Sequence, residues 1–218
     1  MKSALIEIHH LPSISYFAAL QSFDIIILEK HENYIKQSYR NRYFINTSQG
    51  LEMLTIPVLS KHNKTRTGEI RIDYGQKWVN NHCRTLQSAY GRAPFFEYYW
   101  EDLHQILFNK YDFLYDLNHD LLSLCLKWLN WKREIKDSVV YQQHPDFGLF
   151  DLRNAINAKN YERSNKYYNP VPYNQVFGNK FVMNLSIVDL IFCTGPEAGK
   201  IIYNSAVDDR TNIKPMSF

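Results

Sequence analysis

The sequence predicts an α/β fold in which a mixed sheet from the N-terminal third is covered by a central helical layer, and an irregular C-terminal segment folds back. Three observations support this prediction. The chain opens in the order strand, helix, strand; residues 76–135 then follow a helical period; and the remainder is irregular and rich in Asn, Tyr and Pro. Such alternation is typical of α/β domains. We expect one domain over 1–218, with a sheet-forming part (1–75), a helical part (76–135) and a C-terminal segment (136–218).

The first unit consists of a strand, a helix and a second strand. The segments ALIEI (4–8) and DIIILE (24–29) are apolar, and the second carries the β-branched run of a buried strand. Pro12 and Ser13 stand before an apolar stripe and are typical of a helix start. Because a right-handed crossover through a helix joins parallel strands, we expect these two strands to pair in parallel.

Shorter strand candidates follow. The segments RYFIN and LEMLTIPVL flank the turn residues TSQG, which predicts a hairpin. The segment EIRID (69–73) predicts another short strand. One late strand is expected near Phe177 or Phe181.

Three helices are predicted between 76 and 135. The first carries Trp78, Cys83, Leu86 and Tyr90 on one face, and the second begins after Pro94 with FEYYWEDLHQILF. The third is LYDLNHDLLSLCLKWLNW, for which Asn118 or Asp116 could cap the start. Beyond them, LSIVDLIFCTG (185–195) predicts a further helix that ends at a Gly-Pro pair.

The composition of the chain narrows both the functions that the protein can have and the cellular compartment in which we expect it. The net charge of +3 is too small to predict a nucleic-acid partner. Three distant cysteines (Cys83, Cys125 and Cys193) suit neither a metal site nor a disulfide framework, so a reducing compartment is expected. No signal peptide and no run of roughly 18 apolar residues stands out. We therefore expect a cytoplasmic protein without a membrane span.

Aromatic residues make up 15% of the chain, with 16 tyrosines. Tyrosine-rich surfaces suit flat, amphipathic ligands such as sugars and bases. The alternative is that most of these rings belong to the core.

The segment KQSYRNR is the first candidate binding site, because it follows a predicted strand end, where α/β folds bind ligands. Arg42 could hold a phosphate or carboxylate, and Lys36 could add a point charge. Asn41 could bind a carbonyl or hydroxyl group, and Tyr39 could stack on a sugar or base. The alternative is a solvated strand end whose arginines pair with acids such as Glu32.

A second set of candidates lies on the helices. Trp78 and His82 share one helical face, so His82 could be a general base or a hydrogen-bonded core residue. Tyr90, further along, could cap a ligand or pack. Asp189 lies among apolar residues and needs a partner, either a tyrosine hydroxyl or an arginine such as Arg42 or Arg40. Catalysis and a buried ion pair are both open for Asp189.

No metal site is predicted. His144, Asp146, Asp151 and Arg153 lie close in sequence, but their spacing matches no ligand pattern. Asp151 and Arg153 are expected to fix a loop together. No glycine-rich phosphate loop is present, so a nucleotide would be held by arginines and helix N-termini, and no cofactor is identified.

Five segments, in order, carry a resemblance to a known family. They are LPSISYF, KQSYRNR, LTIPV, the pair formed by Trp78-x3-His82 and AYGRAPFFEYY, and PYNQVFGNKFVMNLSIVDLIFCTGPE. The chain resembles the WbqC-like protein family, which is associated with bacterial surface polysaccharide and O-antigen (lipopolysaccharide) biosynthesis. The last segment adds Tyr173 and Gln175 to the predicted substrate contacts.

The resemblance implies an activity and shows one departure. It implies transfer of an acyl or aminoacyl group to a nucleotide- or lipid-linked sugar, with His82 and Asp189 as catalytic candidates. Many members open with a His-Gln-Pro triplet, but here that register holds Ile6, Glu7 and Ile8, and the histidines are His9 and His10. The alternatives are a non-catalytic glycan- or nucleotide-binding accessory protein and a helper in an assembly complex.

Overall fold

The computed structural model describes residues 1–59, 64–157 and 166–207, and it confirms the α/β class. A parallel sheet is formed by four strands: β1 (Ser3–Glu7), β2 (Ile25–Glu29), β7 (Glu134–Asp137) and β8 (Leu149–Asp151). Their order in the sheet is β7-β2-β1-β8.

The predicted parallel pairing of the first two strands is confirmed. Helix α1 (Ile14–Leu20), which is buried along its whole length, crosses between them. Ser3 pairs with Ile25 at one end, and Glu7 pairs with Glu29 at the other. Two glutamates therefore end neighbouring strands at the same edge of the sheet.

The antiparallel pairs form two separate ribbons. The predicted hairpin is β3 (Arg42–Thr47) with β4 (Gly50–Thr55), and the second ribbon is β5 (Val58–Leu59) with β6 (Arg71–Ile72). A 3₁₀ turn at Thr67–Glu69 precedes β6.

The helical layer consists of three helices, as predicted. They are α2 (Trp78–Tyr90), α3 (Phe96–Phe108) and α4 (Leu114–Trp128). The predicted cap of the third helix is wrong, because α4 begins one turn earlier, after Phe113. Asn118 therefore lies inside α4, where its amide donates to the Arg40 carbonyl oxygen at 2.8 Å.

The C-terminal segment folds back onto the N-terminal part. It contains α5 (Ile187–Thr194), a 3₁₀ turn (Gly195–Glu197) and α6 (Ala198–Ser205). The Ile14 amide donates to the Leu185 carbonyl oxygen at 3.0 Å, and the Ile187 amide donates to the Pro12 carbonyl oxygen at 2.8 Å.

The late strand predicted near Phe177 or Phe181 is wrong. Residues around both phenylalanines have no strand structure, and the late strands within the described residues are β7 and β8 instead. The Gln175 side chain makes the hydrogen bonds of this segment instead. Its Nε2 donates to the Val182 carbonyl oxygen at 2.8 Å, and the Val182 backbone amide donates to its Oε1 at 2.9 Å. None of the described helices combines the length and hydrophobicity that a membrane crossing needs.

Candidate functional site

Buried charges gather at the carboxyl edge of the parallel sheet, where open α/β sheets usually bind their ligands. Glu7 and Glu29 end β1 and β2 there, and loop residues add to them. We call this group the carboxyl-edge cluster: Glu7, His9, Glu29, Glu32, Arg40 and Arg153. It has three carboxylates and two guanidinium groups, all with side chains at most 8% exposed.

Glu7 and His9 form the innermost pair. His9 Nε2 donates to Glu7 Oε1 at 3.2 Å, and the Asn154 amide donates to Glu7 Oε2 at 2.9 Å. Burial lowers the pKa of His9 against the opposing effect of Glu7. Neutral His9 therefore carries its proton on Nε2, and its Nδ1 is a buried acceptor without a hydrogen-bond partner.

Glu32 and Arg40 form the second pair. Arg40 Nε donates to Glu32 Oε1 at 2.8 Å, and its terminal nitrogen lies 2.6 Å from the same oxygen and 4.0 Å from Glu7. Burial raises the pKa of Glu32 to about 7, because it outweighs the attraction of Arg40, and the nearby Glu7 and Glu29 raise it further. Glu32 can thus exchange a proton near neutral pH.

Arg153 connects Glu29 to the following loop. Arg153 donates to Glu29 Oε2 at 3.3 Å and to Asp151 at 2.7 and 2.9 Å, so the predicted Asp151–Arg153 pair is confirmed. It also donates to the Gln142 carbonyl oxygen at 2.8 Å. Arg153 therefore fixes the loop before β8 against the edge of the sheet.

The predicted KQSYRNR residues have separate environments. Lys36 is exposed, while Tyr39 is buried with its ring 5.3 Å from the His9 ring. The Asn41 amide donates to the Ile56 carbonyl oxygen at 2.9 Å, and half-buried Arg42 donates to the sulfur of Met53 at 3.4 Å. Arg40 is the member that enters the cluster, so the pairing of an arginine with Glu32 is confirmed, but the pair is buried and does not belong to a solvated strand end.

His82 lies in a second buried group. Its Nε2 donates to the Thr55 carbonyl oxygen at 3.3 Å, and the Tyr43 hydroxyl lies 3.5 Å from its Nδ1. The Trp78 ring packs against it at 5.2 Å between centroids, as predicted. Burial lowers the pKa of His82 to about 4, so it is neutral at pH 7.

His10 links this group to the carboxyl-edge cluster. Its ring lies 6.4 Å from that of His82, and its Nδ1 donates to the Asn118 side chain at 2.7 Å. Asn118 in turn donates to the Arg40 carbonyl oxygen. Burial lowers the pKa of His10 to about 3.

Asp189 is fully buried, as predicted, and its partners are tyrosines rather than arginine. The hydroxyls of Tyr90 and Tyr173 donate to its two carboxylate oxygens at 2.7 and 2.6 Å, and Gln175 donates at 3.3 Å. Burial raises the pKa of Asp189 against these bonds. We call these four residues the Asp189 bracket, since they join α2, α5 and the irregular stretch that precedes α5. The bracket brings together four of the predicted site residues.

A cleft of about 660 Å³ lies beside the Asp189 bracket. Its polar lining comes from Ser48, Ser88, Arg92, Asn174 and Gln175, and its apolar lining comes from Ala89, Pro94, Val176, Phe177 and Cys193. Burial raises the pKa of the Cys193 thiol to about 12, which makes this thiol a weak nucleophile.

No metal centre is evident in the described part of the chain, because no three His, Cys, Asp or Glu side chains there are arranged to hold an ion. The catalytic and substrate-binding roles predicted for the site residues remain predictions. No role was predicted for Glu7 or Glu29, and Arg40 was named as an alternative partner of Asp189, whereas the structure pairs it with Glu32. A signal was present, because a glutamate lies at or next to the end of each of the two apolar segments, ALIEI and DIIILE.

Comparison with known proteins identifies a family and a relative. The model of a family described as the WbqC-like protein family matches residues 9–170 and 158–201. A protein described as uncharacterized protein Rv1507c, from Mycobacterium tuberculosis, is 32% identical over 145 residues. The match covers 65% of this chain and 62% of the relative. No solved structure matches the chain significantly.

Proposed function

The chain belongs to the WbqC-like protein family, and from that premise we propose that it acts in the biosynthesis of bacterial surface polysaccharide. The proposed activity is transfer of an acyl or aminoacyl group to a nucleotide- or lipid-linked sugar. The proposed location is the cytoplasm, which agrees with three cysteines that are all free.

The observation that carries this proposal is the buried Glu32 carboxyl group, which is held by Arg40 at the carboxyl edge of the sheet and whose pKa burial raises to about 7. A general base works best when its pKa lies near the working pH. Acyl transfer needs such a base, because a hydroxyl or amine must lose a proton as it attacks a carbonyl carbon.

The acceptor oxygen or nitrogen forms a bond to the donor carbonyl carbon, and its proton passes to ionised Glu32. The bond from that carbon to the leaving group then breaks, and the leaving group takes the proton back from Glu32. Arg40 holds the Glu32 carboxylate in place throughout.

The remaining predicted residues keep proposed roles around this centre. Exposed Lys36 and half-buried Arg42 are proposed phosphate contacts, and Tyr39 and Asn41 are proposed to shape the site between them. His82 is less suited to be the base, because its low pKa makes it a weak proton acceptor at neutral pH.

A non-catalytic glycan- or nucleotide-binding protein is the second candidate. The observation in its favour is that Glu32 is 7% exposed and already paired with Arg40, as a purely structural ion pair would be. Such a protein would bind activated sugars and turn none of them over.

The test combines binding and turnover for a panel of nucleotide-linked sugars and acyl donors. Titration calorimetry identifies the ligands, and mass spectrometry measures transfer. We expect Glu32→Gln to keep ligand affinity and lose transfer by about 10²-fold or more, as for removal of a general base. Glu69→Gln, an exposed residue nearby, is the control and should match wild type. Equal transfer by wild type and Glu32→Gln would reject Glu32 as the base, and binding without turnover would favour the second candidate.

A further inference from the structure

We infer that the cleft beside the Asp189 bracket binds a small hydroxylated oxyanion, such as a sugar phosphate or a sugar acid. This site is separate from the carboxyl-edge cluster. The inference concerns binding alone, so it holds whether or not the protein catalyses transfer.

The size and lining of the cleft suit such a ligand. A volume of about 660 Å³ lies within the range of small-molecule sites, roughly 300–1,000 Å³. Hydroxyl and amide groups of Ser48, Ser88 and Asn174 can bond to ligand hydroxyls, and all three residues are exposed. Pro94 and Phe177 offer apolar surface on which the flat face of a sugar ring can pack.

Arg92 determines the sign of the ligand charge. It is the one charged residue among those that line the cleft, and it is exposed. Within the part of the chain that the structure describes, no acidic side chain forms an ion pair with it. An unpaired guanidinium can bind a phosphate or carboxylate through two parallel hydrogen bonds. A cationic ligand would instead be repelled.

The wall of the cleft is held in place before any ligand binds. The Asp189 bracket fixes Gln175, and the Gln175 amide fixes Val182. On the other side, the Asn46 side chain donates to the Phe177 carbonyl oxygen at 2.9 Å, and its backbone amide donates to the Tyr90 hydroxyl at 3.3 Å. Such preorganisation lowers the entropy cost of binding. Asp189 is therefore a positioning residue for this site.

The first experiment measures binding of glucose 1-phosphate, glucuronic acid and uncharged glucose by NMR titration. We expect at least one of the two anions to bind in the millimolar range or tighter, and glucose to bind more weakly. Comparing the two anions distinguishes a phosphate site from a carboxylate site. Arg92→Ala should lower the affinity for the anion by about tenfold or more. Arg84→Ala, an exposed arginine on α2 outside the cleft, should leave the affinity unchanged.

A second pair of variants locates the ligand. Ser88→Trp fills the cleft from an exposed position and should abolish binding, while Gln87→Trp, its exposed neighbour outside the cleft, should not. Absence of anion binding to wild type would overturn the inference. It would also be overturned if the two arginine variants, or the two tryptophan variants, changed the affinity equally.

Discussion

At His82, burial separates the pKa values of the folded and unfolded states. Burial lowers the pKa of the folded protein from 6.5 to about 4. The unfolded chain therefore binds more protons between these values, and the fold loses stability as the pH falls from about 6.5 towards 4. His10, with a pKa of about 3, acts in the same direction.

We predict a weaker pH dependence of stability for His82→Gln. The unfolding free energy should fall between pH 7 and pH 5 in both proteins, and the fall should be about 2 kcal/mol smaller in the variant than in wild type. Urea unfolding at the two pH values measures it. His144→Gln, which replaces an exposed histidine outside this buried group, is the matched control. The account of His82 fails if both variants behave alike.

Asp189 should tolerate an amide much better than a hydrocarbon. Asp189→Asn keeps a polar group in reach of the Tyr90 and Tyr173 hydroxyls, and we expect it to cost about 1–2 kcal/mol of unfolding free energy. Asp189→Leu leaves two buried hydroxyls without an acceptor and should cost about 3 kcal/mol or more. Thermal and urea unfolding compare the variants. An equal cost for both would show that the hydrogen bonds of the carboxylate do not stabilise the bracket.

At the scale of elements, the turn between α5 and α6 depends on a glycine. Gly195 has a φ of +53°, and a Cβ at this position would lie closer than 3.0 Å to the Phe95 ring. Both the left-handed backbone and the close ring exclude a side chain. This turn sets the direction in which α6 leaves α5.

Gly195→Ala is therefore expected to lower the unfolding free energy by about 2–4 kcal/mol. Gly199→Ala is the matched control, because its Cβ would meet only ordinary contacts at 3.6 Å and beyond inside α6. Alanine has a higher helix propensity than glycine, so the control variant should be as stable as wild type or more stable by up to about 1 kcal/mol. Calorimetric unfolding of both variants decides, and similar stability for the two would contradict the argument.

Across the whole molecule, the sequence predicts local elements better than long-range partners. The β1–α1–β2 unit, the β3–β4 hairpin and the three central helices carry clear periodicity over many residues. Strands β7 and β8 have only 4 and 3 residues, which is too short for any alternation to show. Their place in the sheet comes from pairing with β2 and β1, more than 100 residues away in sequence.

The site was also predictable only where a local sequence pattern determines it. A lone acid in an apolar helix needs a partner, so the burial and bonding of Asp189 could be predicted. The choice of tyrosine over arginine depends on how α2 and the C-terminal segment pack, and no local pattern encodes that. Arg40 and Arg42 are only two residues apart in sequence, but their side chains have different environments. β3 begins at Arg42, whereas Arg40 still belongs to the preceding loop and pairs with Glu32.

The central claim is that Glu32 is a buried acid that exchanges its proton near neutral pH. Carbon-13 NMR titration of the side-chain carboxyl groups measures this, with Glu32→Gln to assign the resonance. The account predicts a midpoint near pH 7, well above the ordinary value of 4.5. Because the folded pKa is the higher one, the contribution of Glu32 to stability should also fall as the pH rises from about 4.5 through 7. A Glu32 resonance that titrates near pH 4.5 would contradict the account.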